Sequence, residues 1–151
     1  MNSFGNILPV LLFALVLCTS VCNAGNWELY TELDGIRIEY KYADCDLERG
    51  YDQQWVLLKI TNTSVDTKLV EWKSNLWYNG ECKTCDVNTG EYHRTVSVDP
   101  GKTLEGTCSI YGNESLNVFV KFIDIRYQND NREVLTKFEL DNLSITTSNG
   151  R

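Results

Sequence analysis

The chain has 151 residues with 21 acidic against 14 basic side chains, a formal net charge of −7, so it suits one domain and leaves no room for a second. The acidity argues against a nucleic-acid partner, whose phosphates call for a basic face, and against adsorption to anionic membranes. Otherwise it is the charge of a soluble surface.

Met1 to Ala24 reads as a cleavable signal peptide, with the polar start MNSFGN, the apolar run ILPVLLFALVLC and the small-residue exit TSVCNA, cut before Gly25. The apolar run is too short to span a bilayer comfortably, so no stable membrane insertion is expected after cleavage. No Lys or Arg precedes the run, which keeps an uncleaved anchor as the alternative. A lipidated Cys18 is a second alternative, opposed by the bulk of Leu17 in front of it. Export implies a secreted, periplasmic or cell-envelope setting, with residues 25–151 as a single β domain.

From residue 27 onward the dominant period is two, the period of a strand. Trp27, Leu29, Thr31 and Leu33 alternate with Glu28, Tyr30 and Glu32, and Asp34-Gly35 is a tight-turn dipeptide leading into a second strand. There Ile36, Ile38, Tyr40 and Tyr42 share one face, and Arg37, Glu39 and Lys41 the other. After the polar stretch YADCDLERGYD, Gln54 to Thr61 reads as a central strand with Val56, Leu58 and Ile60 on the core side. Lys68 to Tyr78 follows, with Val70, Trp72, Ser74, Leu76 and Tyr78 in phase, and then NGECKTCDVNTG as a long loop. Tyr92 to Val98 and Lys102 to Ile110 flank the turn Asp99-Pro100-Gly101. Leu116, Val118, Val120 and Phe122 mark the next strand. The last runs from about Val134 to Ile145, with a bulge expected at Asp141-Asn142, where the apolar phase slips.

No apolar 3.6-residue period persists over three turns, so no substantial helix is expected. About seven to eight short antiparallel strands indicate an all-β sandwich or barrel, and the strand count favours the sandwich. A strand ending in Asn-Thr-Ser (LKITNTS) and a later Pro-Gly turn (VDPGKTLEG), over about residues 36 to 147, resemble small immunoglobulin-like β-sandwich domains of exported bacterial proteins. Trp72 on the third strand of that count would take the place where such folds bury a tryptophan. The resemblance departs from antibody-type domains at the second and sixth strands, which contain no cysteine to join them. What it implies is fold, and fold alone does not carry function.

Cys18 and Cys22 leave with the leader, and the even set Cys45, Cys82, Cys85 and Cys108 in an exported domain reads as two disulfides. If the strands alternate in direction, all four cysteines gather at one end of the sandwich. Of the three connectivities, Cys45–Cys108 with Cys82–Cys85 is preferred, because a local CKTC bridge leaves the other two to pair. A redox pair would need a helix after CKTC to activate it, and a four-cysteine zinc site would need a second CxxC. Asn62, Asn113 and Asn142 each begin an Asn-X-Ser triplet, the acceptor pattern for N-glycosylation in a eukaryotic secretory pathway.

His93 is the single histidine, so no histidine triad or multi-histidine metal site can be assembled. It is expected on a solvent-facing strand position. Asp44, Asp46 and Glu48 start like a calcium loop, but Arg49 stands where the sharp turn needs glycine. The polar stretch Gln128-Asn129-Asp130-Asn131 is expected as a turn at the end away from the cysteines. No cofactor is implied. Trp55 and Trp77 fall out of phase with the core-facing residues of their strands and form the candidate binding surface. The leading functional reading is an exported, non-enzymatic domain that binds a protein or glycan, or serves as an envelope accessory. A small carboxylate-dependent hydrolase and a structural subunit pairing through a strand edge are the alternatives.

Overall fold

A computed structural model describes residues 26–47, 52–109, 111–123 and 133–148. Within them the chain forms two antiparallel sheets. The first holds β1 (Glu28–Leu33), β2 (Ile36–Cys45), β3 (Gln53–Asn62), β7 (Thr103–Glu105) and β8 (Asn117–Phe122). Its order is β1-β2-β3, with β7 and β8 both paired to the far side of β3. The second holds β4 (Lys68–Tyr78), β5 (Glu81–Cys82), β6 (His93–Val98) and β9 (Leu135–Thr147), with β5 and β6 on one side of β4 and β9 on the other. The fold is all-β, as two sheets facing each other across one core.

The period-two pattern explains that core. Ile36 and Ile38 of β2, Val56, Leu58 and Ile60 of β3, Val70 and Trp72 of β4, Val96 and Val98 of β6, and Val118 and Val120 of β8 are all buried together. Every one is even-numbered on its strand, so each strand turns one face inward. Trp72 is 2% exposed, and its indole N–H donates to Ser74 Oγ at 3.2 Å, which satisfies the one polar atom that burying a tryptophan brings with it.

Turn chemistry places the hairpins. Asp34 and Gly35 both take positive φ, 49° and 78°, the two-residue geometry whose twist matches paired strands. Asn79 and Gly80 repeat it at 50° and 83°. The NGECKTC stretch therefore opens with a hairpin into the two-residue strand β5 rather than as a plain loop. The carbonyl of Asp99 accepts from Lys102 N at 3.0 Å around Pro100 and Gly101 (φ 67°), and this turn carries the chain from one sheet to the other.

Two expectations need correction. In β1 the inward side chain is Tyr30, whereas Leu29 and Leu33 are 53% and 47% exposed. The strand is an edge with an irregular register between Leu29 and Thr31, and Tyr30 reaches across to stack on Phe138 (5.8 Å) and accept from Leu140 N (2.9 Å). The strand expected over 102–110 stops at Glu105, and β8 resumes on the same side of β3 in the same direction. Gly106 permits the break, because a Cβ there would lie 2.5 Å from both Leu116 O and Asn117 Oδ1. Strand direction thus fails to alternate. The Gln128–Asn131 stretch lies outside the described residues, but β8 ends with Phe122 opposite Gln53 and β9 begins with Leu135 opposite Tyr78. These two described strand ends lie at the cysteine end.

Candidate functional site

Because the even residues of β3 fill the core, its odd residues Gln53, Trp55, Leu57, Lys59 and Thr61 face outward. The register sets them in rows across the sheet. Ala43, Trp55 and Phe119 form one row, Lys41, Leu57 and Asn117 the next, and Glu39, Lys59 and Glu105 the third. A charge lattice spreads from the third row to its neighbours. Lys59 pairs with Glu39 at 2.8 Å, Arg37 with Glu39 at 3.6 Å and Lys41 with Glu105 at 3.9 Å. Trp27 lies against two of these ammonium groups, with Lys41 and Lys59 at 4.4 and 4.7 Å from its ring.

The aromatic row is different. Trp55 donates its indole N–H to Gln53 Oε1 at 2.8 Å, two residues back on the same face, which lays the ring along the strand. Beside it the edge strand leaves the sheet at Gly106 and returns at Asn117. The excursion closes on itself through Asn117 Nδ2, which donates to Thr107 O at 3.0 Å, a compact loop with adjoining ends. Its tether is the disulfide from Cys45, at the outer end of β2, to Cys108 (S–S 2.04 Å). The sheet face and the tethered loop border an open recess of about 310 Å³ lined by Gln53, Trp55, Ser109, Glu114, Asn117 and Phe119. That is the lower end of the volumes typical of small-ligand sites, roughly 300–1,000 Å³.

Phe119 is held from behind. Tyr78 of the opposite sheet donates its hydroxyl to Phe119 O at 2.7 Å, and burial, ahead of the nearby Glu133 and Tyr92, pushes that phenol up to about 12. Phe119 also packs edge-on against Phe122 at 4.9 Å.

The other candidate residues lie elsewhere. Trp77 is on the outer face of the second sheet, half-buried under Lys137 at 4.1 Å. The two tryptophans therefore face away from each other and do not form one platform. The second disulfide is Cys82–Cys85, so the four cysteines pair as Cys45–Cys108 and Cys82–Cys85. No helix follows CKTC. Instead Thr84 serves as a stand-in strand, accepting from Leu76 N and donating to Ser74 O, both at 2.8 Å, where β4 lacks a neighbour between β5 and β6. Lys73, buried beneath this loop, donates to Cys85 O at 2.6 Å.

Of the three glycosylation triplets, Asn62 is wrongly placed for a glycan. It is 0% exposed, and its Nδ2 spends both hydrogens on Asp66 O and Val98 O at 2.8 Å each. A sugar on that nitrogen would have to displace both bonds. Asn113 is exposed on the recess loop, with its Oδ1 accepting from Ser115 N at 3.1 Å. Asn142 is exposed in β9 with φ 52°. His93 is exposed on β6, and Asp44 is occupied by Gln54 Nε2 at 2.8 Å; Glu48 lies outside the described residues. Among the described residues no three His, Cys, Asp or Glu side chains converge as metal ligands.

Sequence reasoning found Trp55 from its phase but missed its companions. Phe119 reaches it only through the pairing of β3 with β8, strands more than fifty residues apart; Ser109 arrives on a loop that the sequence reads as strand, and Glu114 from the connection after it. No family model, curated protein or solved structure matches the chain.

Proposed function

We propose that the chain is an exported, non-enzymatic domain of immunoglobulin-like type that works by binding, with the recess over Trp55 and Phe119 as its site. The type is supported by the pairings. β3 sits between β2 and the β7/β8 edge, and β4 pairs with β9, as strands A, B and E and strands C and F do in immunoglobulin sandwiches, with Trp72 on the strand that corresponds to C. Export is supported by the two disulfides, which persist in oxidising compartments, and by the leader pattern of residues 1–24. Among the described residues no helix is long and apolar enough to cross a membrane.

The observation that carries the binding reading is the construction of the recess. An aromatic pair stands on an outer sheet face, and a disulfide-tethered loop rises beside it to make a wall. Core packing asks for neither. Hydrolysis by paired carboxylates asks for two carboxyl groups about 5–10 Å apart, and among the described residues Glu114 is the one carboxylate that lines the recess. Pairing through an edge is a weaker reading, because β1 is irregular at Leu29–Thr31 and β9 carries positive-φ Asn142, interruptions that protect sheet edges.

The test is NMR mapping of the secreted, oxidised chain against a library of small polar compounds. Binding compounds should shift the Trp55 indole N–H and Phe119 before other signals and lose their effect in Trp55→Ala. Hits that cluster elsewhere, or an unchanged response in Trp55→Ala, would remove the recess from consideration. N-terminal sequencing of the secreted form should start at Gly25.

A further inference from the structure

We infer that the ligand of this recess is a neutral glycan, one pyranose ring of which stacks on Trp55; the inference rests on the binding reading above and names its ligand class. The floor comes first. The outward faces of Trp55 and Phe119 carry negative charge density at their centres, so they favour a ligand face of weakly positive C–H groups or a cation. An anion is opposed twice, by those rings and by the carboxylate of Glu114, and among the described residues no Lys, Arg or His lines the recess.

The rim decides between the remaining two. Gln53 uses its Oε1 to hold Trp55, and among the described residues its Nε2 has no acceptor. Ser109 Oγ accepts from Tyr111 N at 3.2 Å, which leaves its O–H to donate. Glu114 has no ion pair among the described residues, and its oxygens only accept. The recess therefore offers donors and acceptors together beside an aromatic floor. A quaternary ammonium would satisfy the rings and Glu114 but would bury the Gln53 and Ser109 donors without acceptors, at a cost for each. Sugar hydroxyls both donate and accept, and the ring that bears them presents a C–H face to the indole. A pyranose is the chemistry that uses the aromatic floor together with Gln53, Ser109 and Glu114.

The experiment titrates the secreted, disulfide-bonded chain with linear glucose, mannose and N-acetylglucosamine oligomers, a galacturonate oligomer and tetramethylammonium. Tryptophan fluorescence and the Trp55 indole N–H signal are followed. At least one neutral oligomer should bind saturably, about tenfold or more weakly to Trp55→Ala, with near-parental affinity to Trp77→Ala and with most affinity kept by Trp55→Phe. The galacturonate oligomer should bind the parent about tenfold or more weakly, and Glu114→Gln should narrow that gap. The Trp55→Phe and Glu114→Gln arms keep the test decisive if Trp55→Ala folds poorly. If tetramethylammonium or galacturonate moves the Trp55 signal while every neutral oligomer fails, the neutral-glycan assignment is overturned and the recess reading stands. If no probe and no library compound moves it, both fall.

Discussion

The side-chain amide of Asn62, at the end of β3, donates to Val98 O, at the end of β6, across 2.8 Å. One buried residue of the first sheet thereby fixes the last residue of a strand in the second. The same amide donates to Asp66 O, and its Oδ1 accepts from Ser64 N and Ser64 Oγ at 2.9 and 2.7 Å. Asn62 N donates to Lys102 O, and Gly101 N to Asn62 O. Two of the three crossings between sheets, β3 to β4 and β6 to β7, are thus pinned to one asparagine. Asn62→Ala would leave the buried Val98 carbonyl and the part-buried Asp66 carbonyl without this donor, the buried one at a cost of about 1–3 kcal/mol. Urea denaturation should show a loss of about 2–4 kcal/mol with an unchanged slope; a loss within experimental error would refute the role. In protein made by a eukaryotic secretory host, peptide mapping should find Asn62 unmodified.

Gly106 is the hinge where the edge strand turns out into the recess loop. A methyl there would press on the Leu116 carbonyl, which is backbone and cannot swing away. Gly106→Ala should cost about 1–3 kcal/mol, the usual penalty of overpacking, and should shift the amide signals of the loop and of Asn117 most. Gly80→Ala makes a useful contrast, since nothing lies within 4 Å of its added Cβ and only its φ of 83° is strained. A Gly106→Ala protein as stable as the parent would mean the loop neck is wrongly placed.

How much of this was legible in the sequence follows from the range of each interaction. Strand faces depend on alternation within one segment, so the inward residues of β2, β3, β4 and β8 could be read directly. The turns at Asp34-Gly35 and Asp99-Pro100-Gly101 could be read from local φ preferences. Asn79-Gly80 carries the same signal, but β5 after it is only two residues long and gives no alternation to recognise. Tyr30 was read out of phase because an edge strand answers to whatever lies beside it, here Phe138 and Leu140, more than a hundred residues away. The recess depends on the break at Gly106, and nothing in TLEGTCSIYG distinguishes an interrupted edge from a continuous strand. Trp55 was visible alone; its partners needed the pairing.

The two disulfides should differ sharply in what they contribute. Cys45–Cys108 closes a separation of 63 residues and Cys82–Cys85 one of 3. Restricting the unfolded chain scales with the logarithm of the closed loop, which gives about 4 kcal/mol for the first and about 2 kcal/mol for the second. Paired Cys→Ser variants, Cys45→Ser/Cys108→Ser and Cys82→Ser/Cys85→Ser, compared by urea denaturation, should keep that order. The first pair should also loosen the loop that carries Ser109 and Glu114, so its recess signals should broaden while those of Lys73 and Thr84 stay sharp. The reverse pattern would show that the recess loop is held by something other than its tether.

Alkaline pH should unlock the sandwich through two phenols. Tyr40 donates to Glu28 Oε2 at 2.7 Å, and that bond, then burial, pushes it from 10.0 up to about 12. Tyr78 is pushed equally far, chiefly by burial. For an acid whose folded value is raised, the fold favours the protonated form. The stability tied to each phenol is therefore fully present below pH 10 and lost as the pH climbs from 10 towards 12. Tyr78 is the more consequential, since its ionised oxygen could no longer donate to Phe119 O, the bond that steadies the recess floor. Urea midpoints should hold roughly level below about pH 9.5 and fall steeply above it, and Tyr78→Phe should flatten that fall while lowering stability at neutral pH through the lost bond. Phenolate absorbance should show a late-ionising component that Tyr78→Phe diminishes. If parent and variant lose stability in parallel above pH 10, Tyr78 is not the group whose ionisation opens the fold.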